Sequence, residues 1–165
     1  NAVSYLLSIG KKRIAMLNTQ RDYSFSQYRE QGYTDALQEA GFPILPRLIA
    51  HVSEVDYNLA FSTALTLLES EERPDAVFCS SDVLASAVIK AAGQLSLSVP
   101  GDVAVMGFDN VDLCNMTVPT ISTVSQPMYQ LGWQSCNLLI DQLEYIPLTS
   151  KRIVLPTDIV VRKST

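Results

Sequence analysis

The sequence predicts an α/β protein built on a doubly wound, mostly parallel sheet. Short unalternating apolar runs, such as Val103-Ala-Val-Met106, suit strands buried on both faces. Amphipathic segments of about 10–15 residues separate these runs, and that alternation implies helical crossovers between parallel strands. Polar residues gather just past the apolar runs, as Asp109, Asn110 and Asp112 do after Gly107. In open α/β sheets that edge is where small ligands are held.

The elements follow in order. Val3, Leu6 and Leu7 are spaced i, i+3, i+4 along a first helix, and Gly10 is its stop. Residues 13–17 (RIAML) form the first strand, and the polar residues 18–25 a loop. Tyr33, Ala36, Leu37 and Ala40 mark one face of a helix over 26–40, ended by Gly41 and Pro43. Residues 48–52 are a second strand. Asp56 can cap a helix whose apolar face is Phe61, Ala64, Leu65 and Leu68. A charged turn over 69–74 leads to the third strand, DAVFC (75–79). Ser80-Ser81-Asp82 can cap the next helix, which turns Leu84, Ala87, Val88, Ala91 and Leu95 inward. Pro100-Gly101 feeds the fourth strand. A connector over 110–126 reaches Pro127, well placed at the first position of a helix running to about Leu143. Its apolar positions are Met128, Leu131, Leu138 and Leu139. Two β-rich runs, 152–155 and 158–161, finish the chain, and Pro156 between them marks an edge or a crossover.

The 165 residues are enough for one sizeable core. A content of 47% hydrophobic and 18% charged residues is that of a globular protein. The net charge of -5 argues against this chain gripping nucleic acid itself, because phosphate neutralisation needs clustered Lys and Arg. The Lys11-Lys12-Arg13 cluster reads as a solvated turn before a strand. No apolar run is long enough to span a membrane. Cys79, Cys114 and Cys136 are an odd set without CxxC spacing, which fits a reducing, cytoplasmic compartment and no disulfide framework. They read as core fillers. Asn1-Ala2 reads as the remnant of a cleaved tag, outside the fold, and the rest as a piece of a longer protein.

In a parallel sheet the carboxyl ends of the strands share one edge. Here that edge collects Arg21, Phe25 and Arg29, then Glu54 and Asp56, then Ser80, Ser81 and Asp82, then Phe108, Asp109 and Asn110. Carboxylates accept from sugar hydroxyls, Arg donates in a fixed fork and rings stack on apolar faces, so the mixture suits a neutral, hydroxyl-rich ligand. Asp56 and Asp82 read as helix caps before ligand contacts. Asp109 is harder to explain as a cap, since no clear helix follows it. There is no GxGxxG, Walker loop or GxSxG elbow. His51 is the only histidine and falls within a strand, which argues against a Ser-His-Asp triad or a two-His metal site. Asp109 and Asp112 lack neighbouring metal ligands, so no metal is expected.

Four stretches resemble, in order, the signatures of the lactose/galactose repressor (LacI/GalR) family. They are KRIA (12–15) with SQYREQGY (26–33), RPDAVFCSSD (73–82), VPGDVAVMGFD (99–109) and PTISTVSQ (119–126). Residues 109–113 and 125–129 look most like its cytidine-repressor branch.

The resemblance implies a periplasmic-binding-protein-like fold of two lobes with an effector, a sugar or a nucleoside, between them. Residues 3–124 then form the C-terminal lobe, 125–148 the returning helix of the N-terminal lobe and 149–165 the C-terminal strands. It implies a transcriptional repressor, not an enzyme, with no cofactor and no membrane partner. DNA is bound through a helix-turn-helix outside this chain, in a homodimer. Carried over position by position, the effector contacts fall on Arg29 as donor, Asp109 as acceptor, Ser81, Phe25 and Gln126. The family's stacking aromatic falls on Val55, and Tyr57, two residues on, is the aromatic that can substitute. The rival reading is an extracytoplasmic sugar-binding protein of a transporter, which shares the fold.

Overall fold

The computed structural model describes residues 1–144 and 152–165. Its strands are β1 (Ile14–Thr19), β2 (Ile49–Val52), β3 (Ala76–Cys79), β4 (Ala104–Asp109), β5 (Ser122–Ser125) and β6 (Asp158–Val160). They form one six-stranded sheet in the order β2-β1-β3-β4-β5-β6. Every neighbouring pair is parallel except β5 and β6. The helices are α1 (Ala2–Ser8), α2 (Ser24–Glu39), α3 (Tyr57–Glu69), α4 (Asp82–Gln94), the single turn α5 (Leu113–Met116) and α6 (Met128–Leu143).

Successive strand residues point to opposite faces, and the core divides accordingly. Ala15, Leu17, Val77, Cys79 and Val105 pack with α3 and α4. Ile14, Met16, Phe78 and Met106 pack with α1 and α2. The sheet is thus covered on both sides, as unalternating strands require. The chain steps from β1 outward to β2, then returns to place β3 on the other flank of β1. Helices α2 and α4, which follow β1 and β3, therefore lie on opposite faces. This opens a crevice at the carboxyl ends of those two strands.

The structure corrects several expectations. β1 runs on to Thr19, because Asn18 and Thr19 are buried and clamped to the start of α2. Asn18 Nδ2 donates to the Ser26 carbonyl at 3.0 Å, and Ser26 Oγ donates to the Thr19 carbonyl at 2.7 Å. The expected connector holds both α5 and a fifth parallel strand, β5. Residues 152–155 are not a strand, and Ile153 and Val154 are exposed. Asp82 does not cap α4; the cap is Ser81, whose hydroxyl accepts from the Leu84 N–H at 3.3 Å. Cys79 and Cys114 are buried, but Cys136 is exposed on α6 and fills no core. Ala2, expected outside the fold, is buried in α1. The expected boundary at residues 148 and 149 lies outside the described residues.

Helix α6 forms where Pro127 places it, yet it buries none of its residues. Leu131, Trp133, Leu139, Ile140 and Leu143 are all exposed. Among the described residues no helix is long and apolar enough to cross a membrane.

Gly107 marks the tightest approach of strand and helix. A Cβ there would meet Asp82 Oδ1 at 2.3 Å and Ile121 Cγ2 at 3.2 Å. The carboxylate cannot swing aside, because it accepts from Thr123 Oγ1 at 2.6 Å and the Val111 N–H at 2.9 Å. Gly107→Ala is expected to cost about 1–3 kcal/mol, as overpacking does. Urea unfolding measures this, and an unchanged midpoint would show that Asp82 is free to move.

Candidate ligand-binding site

Phe25 and Arg29 sit one turn apart on α2, so their side chains share a face. The Arg29 guanidinium packs against two rings, with Cζ 5.0 Å from the Phe25 centroid and 3.8 Å from that of Phe108. Tyr23 extends this packing by stacking on Phe25 at 5.4 Å and 19°. Each cation–ring contact is worth about 0.5–2 kcal/mol, towards the upper end when water is excluded. The guanidinium edge is fixed as well: Nη1 donates to the Ser80 carbonyl and Nη2 reaches Asp109 Oδ1 at 3.4 Å. Gln126 Nε2, just past β5, donates to the same Asp109 oxygen at 2.6 Å.

Phe25, Tyr28, Arg29, Phe108 and Gln126 line a cavity of about 410 Å³, with Phe78 and Val124 beneath them. Burial pushes the Asp109 carboxyl above its ordinary value, while Arg29 and Gln126 pull it back. Burial also lowers the Arg29 guanidinium, chiefly against the pull of Asp109. The site therefore sets one cation beside one anion. It offers the Arg29 fork and the Gln126 amide as donors, Asp109 as acceptor, and aromatic walls.

A roomier hollow of about 770 Å³ lies elsewhere, between α2 and β2. Its one guanidinium is already engaged by a carboxylate. The Glu30 carboxylate is paired with Arg21 and lies 2.8 Å from His51 Nε2. The Arg21 hydrogen bond, above all, holds Glu30 below its ordinary range. Among the described residues, no group of three or more His, Cys, Asp or Glu is arranged to hold a metal ion.

The structure brings together Phe25, Arg29, Asp109 and Gln126 of the expected contacts. Ser81 is buried and its hydroxyl caps α4. Val55 is exposed in the loop after β2. Tyr57 lines a different hollow, with Ser86, Lys90 and Leu113. Phe108 is as much part of the site as Phe25, and its position one residue before Asp109 was the available signal. The Ser80 carbonyl joins through its backbone, which side-chain identity does not reveal.

This fold and this edge define a class. A model of the periplasmic binding protein-like domain matches residues 3–165. The chain belongs to that family. The HTH-type transcriptional repressor CytR of Escherichia coli (strain K12) is 33% identical over 165 residues, covering 100% of this chain and 48% of the repressor. The ribose operon repressor of Halalkalibacterium halodurans is 34% identical over 166 residues, covering 99% of this chain and 48% of its own length. A solved transcriptional regulator CelR–cellobiose complex superposes with a TM-score of 0.94 at 30% identity, over 99% of this chain and 50% of that one. The chain thus spans about half the length of the curated relatives it matches. These named relatives are regulators, which favours the repressor reading over the transporter one.

The raised Asp109 carboxyl has a measurable consequence. A carboxyl with a higher value in the fold than in the unfolded chain binds more protons when folded. Its contribution to stability is therefore present at low pH and is lost as pH rises from about 3.9 through the folded value. Asp109→Asn is expected to remove that loss. The variant's melting temperature should gain on the wild type as pH rises through this window, and a pH-independent difference would contradict the raised value.

Proposed function

We propose that this chain is the effector-sensing lobe of a bacterial LacI-type transcriptional repressor. Its Arg29–Asp109–Gln126 cluster holds a neutral sugar or nucleoside. The observation that carries this reading is Arg29, packed against Phe25 and Phe108 with its fork turned to Asp109. An arginine held this way is pre-organised to donate to a ligand's hydroxyls or base edge, while Asp109 accepts from hydroxyls. The cellobiose in the CelR complex is a neutral ligand of the same chemical kind.

The two-lobe arrangement explains α6. Its exposed Leu131, Trp133, Leu139 and Ile140 are the apolar face of a helix that packs on the other lobe. An effector held between lobes then favours one inter-lobe arrangement. In a homodimer this shifts the spacing of the DNA-binding headpieces, provided the effector binds the two arrangements with different affinity. DNA contact belongs to a helix-turn-helix elsewhere in the protein, since this chain carries a net charge of -5. Such a regulator works in the cytoplasm, without cofactor or catalysis.

The test is a thermal-shift screen of the full-length protein against pentoses, hexoses, disaccharides, nucleosides and purines. A ligand at about 100 times its Kd adds roughly 2.7 kcal/mol of stability. Arg29→Ala and Asp109→Ala should each abolish the shift while the variants still melt cooperatively. A hit that survives both would move the site elsewhere, and no hit at all would rule out this ligand class.

A further inference from the structure

The turn that carries Asp109 is held by the far end of the chain. Asp109 and Asn110 both have positive φ, 112° and 62°. Side chains other than glycine enter that region only where their surroundings over-determine it. Three groups grip this turn. The Val111 N–H donates to Asp82 Oδ2 at 2.9 Å. The Asn110 Nδ2 donates to Ser125 Oγ at 3.1 Å, and its Oδ1 accepts from Arg162 Nη2 at 2.8 Å.

Arg162 lies just past β6 and is itself locked. Its N–H donates to Ser122 Oγ and its Nη1 to the Ile121 carbonyl, each at 2.8 Å. Two residues on, Ser164 is fully buried and ties β4 to β5. Its Oγ donates to the Val105 carbonyl at 2.6 Å and accepts from the Ser122 N–H at 2.8 Å. The guanidinium partners given by these bonds are neutral oxygens. What the site draws from Arg162 is therefore the rigid fork, which reaches the start of β5 and the Asn110 turn at once. A lysine, with a single point of donation, cannot span both.

The geometry points to Arg162 as a positioning residue for the ligand site: its fork fixes Asn110, and Asn110 in turn presents the Asp109 carboxylate to Arg29 and Gln126. The inference rests on reading Asp109 and Arg29 as effector contacts. It adds a direct line from the chain's last strand to that pair, so that displacement of the strand alters the acceptor the effector meets.

The test needs no effector. In the full-length protein, NMR follows the Asp109 side-chain carboxyl and the Arg29 Nε–H, which the Phe108 ring 3.8 Å from Cζ displaces by its ring current. Arg162→Met is expected to move both signals towards their free values, and Arg162→Lys to restore only part of the displacement. Asn110→Gly keeps the positive φ without strain and lacks the amide, so it should reproduce Arg162→Met. The double variant should add no further shift, as for residues acting in series. Site signals that stay in place in Arg162→Met overturn the proposal, as does an equal further shift in the Asn110→Gly background. Should Arg162→Met not fold, Asn110→Gly decides alone, and unmoved signals there overturn it. A ligand screen without a hit leaves this result standing, so the two readings fail separately.

Discussion

The strand edge that carries the candidate site depends on one buried carboxylate. Asp82 is 1% exposed, in the first turn of α4. It accepts from the Thr123 hydroxyl of β5 and the Val111 N–H beyond β4. An unpartnered buried charge would be strongly destabilising, so these donors are a condition of the fold. The helix N-terminus adds a favourable field for the negative charge. One side chain thereby ties together α4, β5 and the turn after β4. The requirement for Gly107 follows, since Asp82 occupies the space a Cβ would take. Phe108 extends from this anchored point into the cavity wall, and Asp109 follows it to meet Arg29 and Gln126.

β1, β3 and β4 are readable from the sequence because each carries a run of buried apolar residues on both faces, bounded by turn residues. β2, the edge strand with His51 exposed, is marked only by its short Ile49-Ala50 and Val52 pattern. β5 is not readable. It reads Ser-Thr-Val-Ser, and its hydroxyls look like those of a loop until their partners are known. Thr123 meets Asp82, 41 positions earlier, and Ser122 meets Thr165, 43 positions later. Periodicity reports burial and does not report such pairings. The same limit explains Asp82. Its place after Ser80-Ser81 suits a cap, and only the folded chain shows that Ser81 caps while Asp82 turns towards β5. The site divides along similar lines. Arg29, Asp109, Gln126 and Phe25 are legible through the resemblance to the LacI/GalR signatures, which carries them over position by position. Arg162 is silent because its role is set by where the last strand crosses the sheet.

Two hollows compete for attention on this surface, and electrostatics separates them. The larger one is lined by Arg21, Asp22, Glu30 and His51, and its one guanidinium, Arg21, is largely exposed and already engaged by Glu30. In the smaller one the Arg29 guanidinium, and beside it the Asp109 carboxylate that Arg29 and Gln126 contact, are kept in a desolvated position against their preference, with Arg29 depressed and Asp109 raised by burial. Groups held at such a cost are those a bound partner can reward. The contacts among Tyr23, Phe25, Arg29 and Phe108 supply the rigidity that makes this possible, because packing against two rings leaves the guanidinium little freedom to relax away.

The same pairing constrains what can enter. With Arg29 already facing Asp109, an anionic ligand would have to displace the carboxylate or share the cation with it, and a cationic one would meet the reverse difficulty. A neutral molecule needs neither rearrangement. It can take a hydrogen bond from the Arg29 fork, give one to Asp109 and lay its apolar face along Phe25 or Phe108. On the proposed reading, neutrality is selected by cancellation, with both charges kept as hydrogen-bonding groups stronger than uncharged ones. Selection among neutral ligands then falls to where the donors and acceptors stand, and Asp109 stands where the strained Asn110 turn puts it.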